Sequence, residues 1–300
     1  MEIGKVRTCA GAKDEGTGML TPNDARRLGL EPIPEPIACQ YCGKPLVRLG
    51  INVGGRMLWV SHVPCGCPGE QQAADEEAAR EVSRAEEARR ARIARAGVGR
   101  RYYDAVLTHS SCIAFVDSYA PRRGFGLYIY GPIGTGKTYN ASAVSSALAM
   151  QGRRVVMTSA LRILSDVKDT FDTGESAKRE LERYMNCEIL VLDDLGKESS
   201  SRWSVMTLFD IVNTRYESML STIYTSQYSL PALQERLSSA HETETAKAIV
   251  SRIRETCLEV RLFGDDMRTG SLWDQMLKAQ ALNGLSASEL GRFSDVDTVG

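Results

Sequence analysis

Gly126-Leu127-Tyr128-Ile129-Tyr130-Gly131-Pro132-Ile133-Gly134-Thr135-Gly136-Lys137-Thr138 is the stretch whose reading decides the fold. A short apolar run rich in β-formers ends at a glycine, and Gly131 to Thr138 then spells G-x-x-x-x-G-K-T. A helix-compatible segment follows from Tyr139 to Met150, with Gly152 as its stop. Strand, glycine loop and helix, in that order, are the context of a phosphate-binding loop. In the loop Gly131, Pro132, Ile133, Gly134, Thr135 and Gly136, expected to bind the nucleotide, the glycines let the backbone wrap close to a polyphosphate. Successive N–H groups and the positive end of the new helix then face the ligand. Lys137 is expected to reach the β and γ phosphates, and the Thr138 hydroxyl to ligate a magnesium ion.

Downstream, strand and helix patterns alternate. Arg154 to Thr158 reads as a second strand, followed by helices over Ala160 to Thr170 and Ser176 to Tyr184. Glu188 to Asp194 reads as a buried strand ending in two carboxylates, and Ser201 to Met219 as a long amphipathic helix. Thr222 to Ser226 is a fourth strand, Ser229 to Leu237 and Glu244 to Glu255 are helices, and Leu258 to Leu262 is a fifth strand. This alternation predicts an α/β fold with a parallel sheet and helices on both faces. Ligands on such sheets sit outside the carboxyl ends of the strands, where Gly131, Asp193 and Gln227 all fall. Asp193 is the expected magnesium acid, and Asp194 is positioned to orient or deprotonate an attacking water. Asp194 is one methylene shorter than a glutamate, which suits slow hydrolysis. Gln227, with Thr225 behind it, is the candidate γ-phosphate reporter. Arg252 on the late helix is the candidate for a residue reaching a neighbouring subunit's nucleotide, with Arg254 as second choice; Arg268 is a weaker candidate in cis.

Ahead of the loop, Cys39-Gln40-Tyr41-Cys42-Gly43 and Cys65-Gly66-Cys67 flank two short strands, Leu46 to Val60, around Asn52-Val53-Gly54-Gly55. C-x-x-C and C-x-C brought together by a hairpin give four thiolates, a closed tetrahedral set suited to structural zinc. A module this small needs the metal to fold. His62 or Cys9 could replace one ligand, whereas Cys112, Cys187 and Cys257 lie in apolar periodic contexts and read as core. Leu20 to Asp24 resembles a helix start with Ala25 to Leu30 as the helix, and Pro32, Pro34 and Pro36 predict an extended linker. Glu70 to Ala96 is nearly all helix-forming Ala, Glu, Arg and Gln with little to bury.

The 300 residues suit about two domains. A net charge of −1 provides no global field for nucleic acid, so any such binding must come from local basic patches. No run approaches the roughly 18 apolar residues of a membrane span, and Met1 to Gly18 has no apolar signal-peptide core. A cytoplasmic chain without a disulfide framework is the expectation.

Gly131 to Thr138, Ile189 to Gly196, Asn213-Thr214-Arg215-Tyr216, Tyr224 to Gln227 and Ser251-Arg252-Ile253 follow in an order that resembles the DnaC/DnaI-like replicative helicase loaders. These are AAA+ ATPases closely related to IstB-type transposition helper ATPases, and the resemblance covers about Val98 to Arg268. It implies a five-stranded parallel AAA+ core, ATP with magnesium, ring or spiral self-association and single-stranded DNA binding. It also implies docking of the amino-terminal part on a hexameric DnaB-like helicase. Carried over by position, Lys137 and Thr138 bind phosphate and magnesium, Asp193 and Asp194 are the metal and water acids, and Arg252 acts in trans. Gln227 stands where the family usually has asparagine, and too little chain follows Leu262 for a helical lid domain. DNA would meet Lys168, Lys178, Arg179 and Arg183 through phosphate contacts.

The expected organisation is a weakly ordered segment 1–36, a zinc module 37–69, a charged linker helix 70–97, an ATPase domain 98–268 and a helix and tail 269–300, the helix over Leu272 to Leu282. A helicase loader is the leading reading and a transposition helper ATPase the runner-up, with the zinc module favouring the loader as a separate docking unit. A P-loop small-molecule kinase would need an arginine-rich acceptor lid. A zinc-ribbon binding module with a dead nucleotide fold is disfavoured by intact Lys137, Thr138 and Asp193.

Overall fold

The computed structural model describes residues 18–173, 177–198, 201–239, 241–264 and 266–267. The chain divides into two compact units, Met1–Glu86 and Glu87–Gly300. The expected helix over Leu272 to Leu282, Cys9 and Arg268 lie outside the described residues.

In the first unit, α1 spans Pro22–Arg27. It starts three residues earlier than the sequence pattern suggested because Thr21 forms a capping box. Its Oγ1 accepts the Asp24 N–H at 3.3 Å, and the Asp24 carboxylate accepts the Thr21 N–H at 3.0 Å, with Pro22 in the first turn. It ends early because Gly29 turns left-handed. The proline stretch is non-helical, as expected, but it is tied down: the Trp59 indole donates to the Pro32 carbonyl at 2.7 Å and the Met57 N–H to that of Glu31 at 2.9 Å. Two antiparallel pairs follow, β1 (Ile37–Ala38) with β2 (Pro45–Leu46), and β3 (Arg48–Val53) with β4 (Arg56–His62). Gly54 and Gly55, both at positive φ, make the hairpin turn. Helix α2, Pro68–Arg95, begins in this unit and ends in the second, where Ile93 is buried.

The second unit carries a 3-10 turn at Arg100–Tyr102 and helix α3 (Ser110–Ser118), then β5 (Gly126–Tyr130), α4 (Lys137–Met150) and β6 (Val155–Ser159). Helices α5 (Ala160–Thr173) and α6 (Ala177–Met185) lead to β7 (Ile189–Leu195), α7 (Arg202–Glu217) and β8 (Ser221–Ser226). Helices α8 (Leu230–Ser238) and α9 (Thr243–Thr256) precede β9 (Cys257–Arg261). The sheet runs β6-β7-β8-β5-β9 and every pairing is parallel, the five-stranded AAA+ core that the resemblance implies. Its strands are apolar on both sides because both faces are covered. Leu127, Ile129, Val191 and Ile223 face a core with α3, α4 and the end of α2, while Tyr128, Leu190, Leu192 and Tyr224 face one with α5, α7, α8 and α9. Cys112 is fully buried in the first of these cores, and Cys187 and Cys257 pack half-buried against the second.

Two local departures bear on chemistry. Helix α4 starts at Lys137, two residues before the expected Tyr139, because left-handed Gly136 turns the loop directly into the helix. Strand β7 continues through both carboxylates to Leu195, and its pairing with β8 is interrupted: Leu192 pairs Tyr224 and Leu195 pairs Ser226, so Asp193 and Asp194 together oppose Thr225. This is a β-bulge, which re-aims side chains at the end of a strand. Asp194 takes the extra residue's conformation at φ +58°.

Candidate nucleotide and metal sites

The phosphate loop closes through its own backbone and one lysine. Gly134 and Gly136 are left-handed, and a Cβ on Gly131 would collide with the Leu262 carbonyl. The Thr135 hydroxyl donates to the Pro132 carbonyl at 2.9 Å. Lys137 is buried, and its ammonium donates to the carbonyls of Gly131 at 2.9 Å and Pro132 at 2.6 Å. Ile133 at the loop tip is exposed. The chain after β9 crosses the loop, with the Met267 N–H donating to the Gly134 carbonyl at 3.2 Å.

Sheet order brings the acids to this loop. Only β8 separates the bulge on β7 from Gly131 at the end of β5. The Thr138 hydroxyl, at the start of α4, lies 3.1 and 3.2 Å from the two oxygens of Asp193. Thr225 donates its hydroxyl to Asp193 Oδ1 at 2.6 Å and accepts the Asp194 N–H at 2.9 Å. Burial pushes the Asp193 carboxyl up from its ordinary range, against the opposing pull of the Thr225 and Thr138 hydroxyls. A hydroxyl and a carboxylate converging beside a phosphate loop are hard oxygen donors suited to magnesium. Asp194 is less buried, and Lys197 Nζ sits 2.8 Å from its Oδ2. A cleft of about 450 Å³ opens beside Thr138 and Asp193, walled by Tyr102, Arg162, Asp166, Arg183 and Tyr184.

Other candidates stand apart. Gln227 follows the last residue of β8 and makes no hydrogen bond among the described residues, whereas Thr225, the second choice there, touches Asp193 directly. The Arg252 guanidinium lies over the rings of Phe209 and Tyr216, 5.2 and 5.4 Å from their centroids, and donates to the Ala248 carbonyl at 3.2 Å. These partners are on α7 and α9, so the chain does not bring Arg252 to its own loop; Arg254 is exposed. Lys168 lies over the Trp203 ring and Arg183 over Tyr184, and Arg179 is exposed. The Lys178 side chain is outside the described residues.

In the first unit, the Sγ atoms of Cys39, Cys42, Cys65 and Cys67 all lie within 4.8 Å of one another. Cys39 and Cys67 are 3.8 Å apart and Cys42 and Cys65 3.4 Å. Zinc–sulfur bonds of about 2.3 Å in a tetrahedron require sulfurs about 3.8 Å apart, so the set fits zinc. The N–H groups of Tyr41 and Cys42 draw the Cys39 thiol down to about 7. His62 is not in the cluster.

Two residues escaped the sequence reading. Arg215, within the Asn213-Thr214-Arg215-Tyr216 string, is 1% exposed. It donates to the carbonyls of Tyr184 (2.9 Å), Cys187 (2.8 Å) and Ser221 (2.6 Å) and to the Thr222 hydroxyl (2.8 Å). Burial lowers its pKa from the ordinary arginine value. Glu198 is buried after the bulge and accepts the Gly196 N–H at 2.9 Å. An arginine on an otherwise apolar helix face was the available signal for the first; the second carried none.

Residues 111–272 match the model of the family described as IstB-like ATP binding protein. Among curated relatives, the replicative helicase loader DnaI of Bacillus subtilis (strain 168) is 25% identical over 151 residues, 49% of this chain and 48% of that protein. The replicative helicase loader DnaC of Escherichia coli (strain K12) is 32% identical over 93 residues, 31% of this chain and 38% of that protein. The chain thus spans less than half the length of these relatives. Among solved structures, a crystal structure of the DnaC helicase loader aligns at TM-score 0.47 and 28% identity, over 55% of this chain and 100% of that one.

Proposed function

The chain belongs to the IstB-like ATP-binding protein family, and from that premise we propose that it is an ATP-dependent loader of a DnaB-like replicative helicase onto single-stranded DNA. The observation that carries the ATPase half is the convergence of Lys137, Thr138, Asp193 and Thr225 at the carboxyl end of the sheet. Lys137 exchanges its loop carbonyls for the β and γ phosphates of ATP. Thr138 and Asp193 would hold magnesium, which neutralises charge on the phosphate oxygens. Asp194 orients and deprotonates the attacking water. Gln227 registers the γ phosphate, with Thr225 behind it, and Arg252, its guanidinium carbon 5.2 and 5.4 Å from the Phe209 and Tyr216 ring centroids, is offered to the nucleotide of a neighbouring copy.

The loader half rests on the four-cysteine module as a separate docking unit, and on two relatives named as replicative helicase loaders. Cys39, Cys42, Cys65 and Cys67 would hold zinc, which would supply that unit with folding energy. Lys168, Lys178, Arg179 and Arg183 supply phosphate contacts to single-stranded DNA. We take the protein to be cytoplasmic; no helix among the described residues is long and apolar enough to cross a membrane.

ATP turnover by the full chain is the first test. It should be slow alone, rise with single-stranded oligonucleotide and vanish in Lys137→Ala; turnover that demands a small-molecule acceptor would replace the loader with a kinase. Co-purification is the second test. The full chain should retain a DnaB-like helicase and Cys39→Ser should lose it, whereas retention of a transposase instead would make the chain a transposition helper.

A further inference from the structure

The turn after the Asp193–Asp194 bulge is fixed at many points. The Asp194 N–H is held by Thr225, the Leu195 carbonyl accepts the Ser226 hydroxyl at 2.7 Å, and the Gly196 N–H donates to buried Glu198. Arg236 donates to the carbonyls of Gly196 and Glu198, each at 3.2 Å, and the Lys197 N–H donates to the Asp194 carbonyl at 3.2 Å. Asp194 is left-handed and Gly196 is also at positive φ. Within this frame the Lys197 ammonium reaches only three residues back, to Asp194 Oδ2 at 2.8 Å. An ion pair between flexible surface side chains loses its gain to side-chain ordering. Here the backbone of both partners is already fixed, so less ordering remains to oppose the pair.

We propose that Lys197 is a positioning residue that holds the Asp194 carboxylate in an ion pair and thereby keeps ATP hydrolysis slow. The inference rests on the water-activating role of Asp194 set out above. A carboxylate that accepts an ammonium at 2.8 Å has one oxygen engaged and its orientation set by that contact, so it must leave Lys197 before it can turn to the attacking water. Lys197 is not a catalytic residue in this account. Its side chain is half-exposed and belongs to neither the phosphate loop nor the magnesium donors, so its loss should leave nucleotide affinity intact.

The test uses the full chain. Single-turnover ATP hydrolysis and the affinity for a fluorescent ATP analogue with magnesium are measured for the wild type, Lys197→Met, Lys197→Arg, Asp194→Asn and the double variant Asp194→Asn/Lys197→Met. Release of a partly exposed pair predicts a rise of about fivefold in the hydrolysis rate of Lys197→Met, with affinity unchanged. Lys197→Arg should return the rate to the wild-type level. In the Asp194→Asn background the effect of Lys197→Met should vanish, which a general loosening of the turn would not produce. An unchanged or lower rate in Lys197→Met, with hydrolysis by the wild type intact, overturns the inference and leaves the ATPase reading standing. An increase that persists in Asp194→Asn also overturns it. Absence of hydrolysis in both the wild type and Lys197→Met, with or without single-stranded DNA, overturns the ATPase reading and this inference together.

Discussion

Thr225 and Asp193 share a hydrogen bond of 2.6 Å, and the same Thr225 oxygen accepts the Asp194 N–H at 2.9 Å. One hydroxyl therefore holds the Asp193 carboxylate and the backbone of Asp194, and it can do so because the two residues oppose a single residue of the neighbouring strand. Thr225→Val keeps the shape and removes both bonds. It leaves a half-buried carboxylate and an N–H without this partner, a loss of about 1–3 kcal/mol. Urea unfolding should show that loss and ATP turnover should fall with it, while Thr225→Ser keeps most of both.

Asp193 carries a cost that pH exposes. Its carboxyl titrates above the ordinary value of 3.8 in the folded chain because burial disfavours the charged form. The folded state therefore holds the proton more tightly than the unfolded one. This group's contribution is full below 3.8 and is lost as pH rises through the folded value. Asp193→Asn should raise Tm at neutral pH, and the advantage should shrink toward zero as melting is repeated at successively lower pH. The same substitution should lower ATP turnover on the order of a hundredfold, as for removal of a preorganised electrostatic group.

Arg215 is a structural clamp, and its substitution should behave as one. Arg215→Ala takes the donor away from four carbonyls and a hydroxyl inside the core, a loss of about 3–5 kcal/mol by analogy with a broken buried charge network. Arg215→Lys should not rescue it, because one ammonium cannot span partners on α6, on the segment before β7 and at the start of β8. Thermal melting of the three proteins checks this.

The cysteine cluster should behave as a separate module. Cys39→Ser, or treatment with a strong zinc chelator, is expected to open residues 37–67 to proteolysis while binding of the fluorescent ATP analogue is unchanged. Metal analysis should give one zinc per wild-type chain and none in the variant.

What could be read in advance was local. The phosphate loop announces itself within eight residues, and the buried strands within four or five, because glycine geometry and apolar runs are set by neighbours in sequence. The cysteine spacing was legible for the same reason. The bulge at Asp193–Asp194 was not, since it depends on register with a strand some thirty residues away in sequence. That register made Thr225 the contact of Asp193 and left Gln227 at the strand end without a hydrogen bond among the described residues. Arg252 was noticed for its charge, but its seat over Phe209 and Tyr216 depends on how α7 packs on α9. The Lys197–Asp194 pair lay in plain view at spacing three and went unread, because only a left-handed Asp194 folds the turn tightly enough to close it.

Strand β8 has two ends with different attachments. At Ser221 and Thr222 it is bolted through Arg215 to the carbonyl of Tyr184, beside Arg183 at the rim of the cleft. About 13 Å from Ser221, at four residues of strand rise, Thr225 holds the Asp193 carboxylate and the Asp194 N–H, and the next residue's carbonyl, that of Ser226, accepts the Gly131 N–H. Because β8 is paired to β5 on one side and β7 on the other, the arginine clamp and the threonine that holds Asp193 are anchored to one and the same central strand.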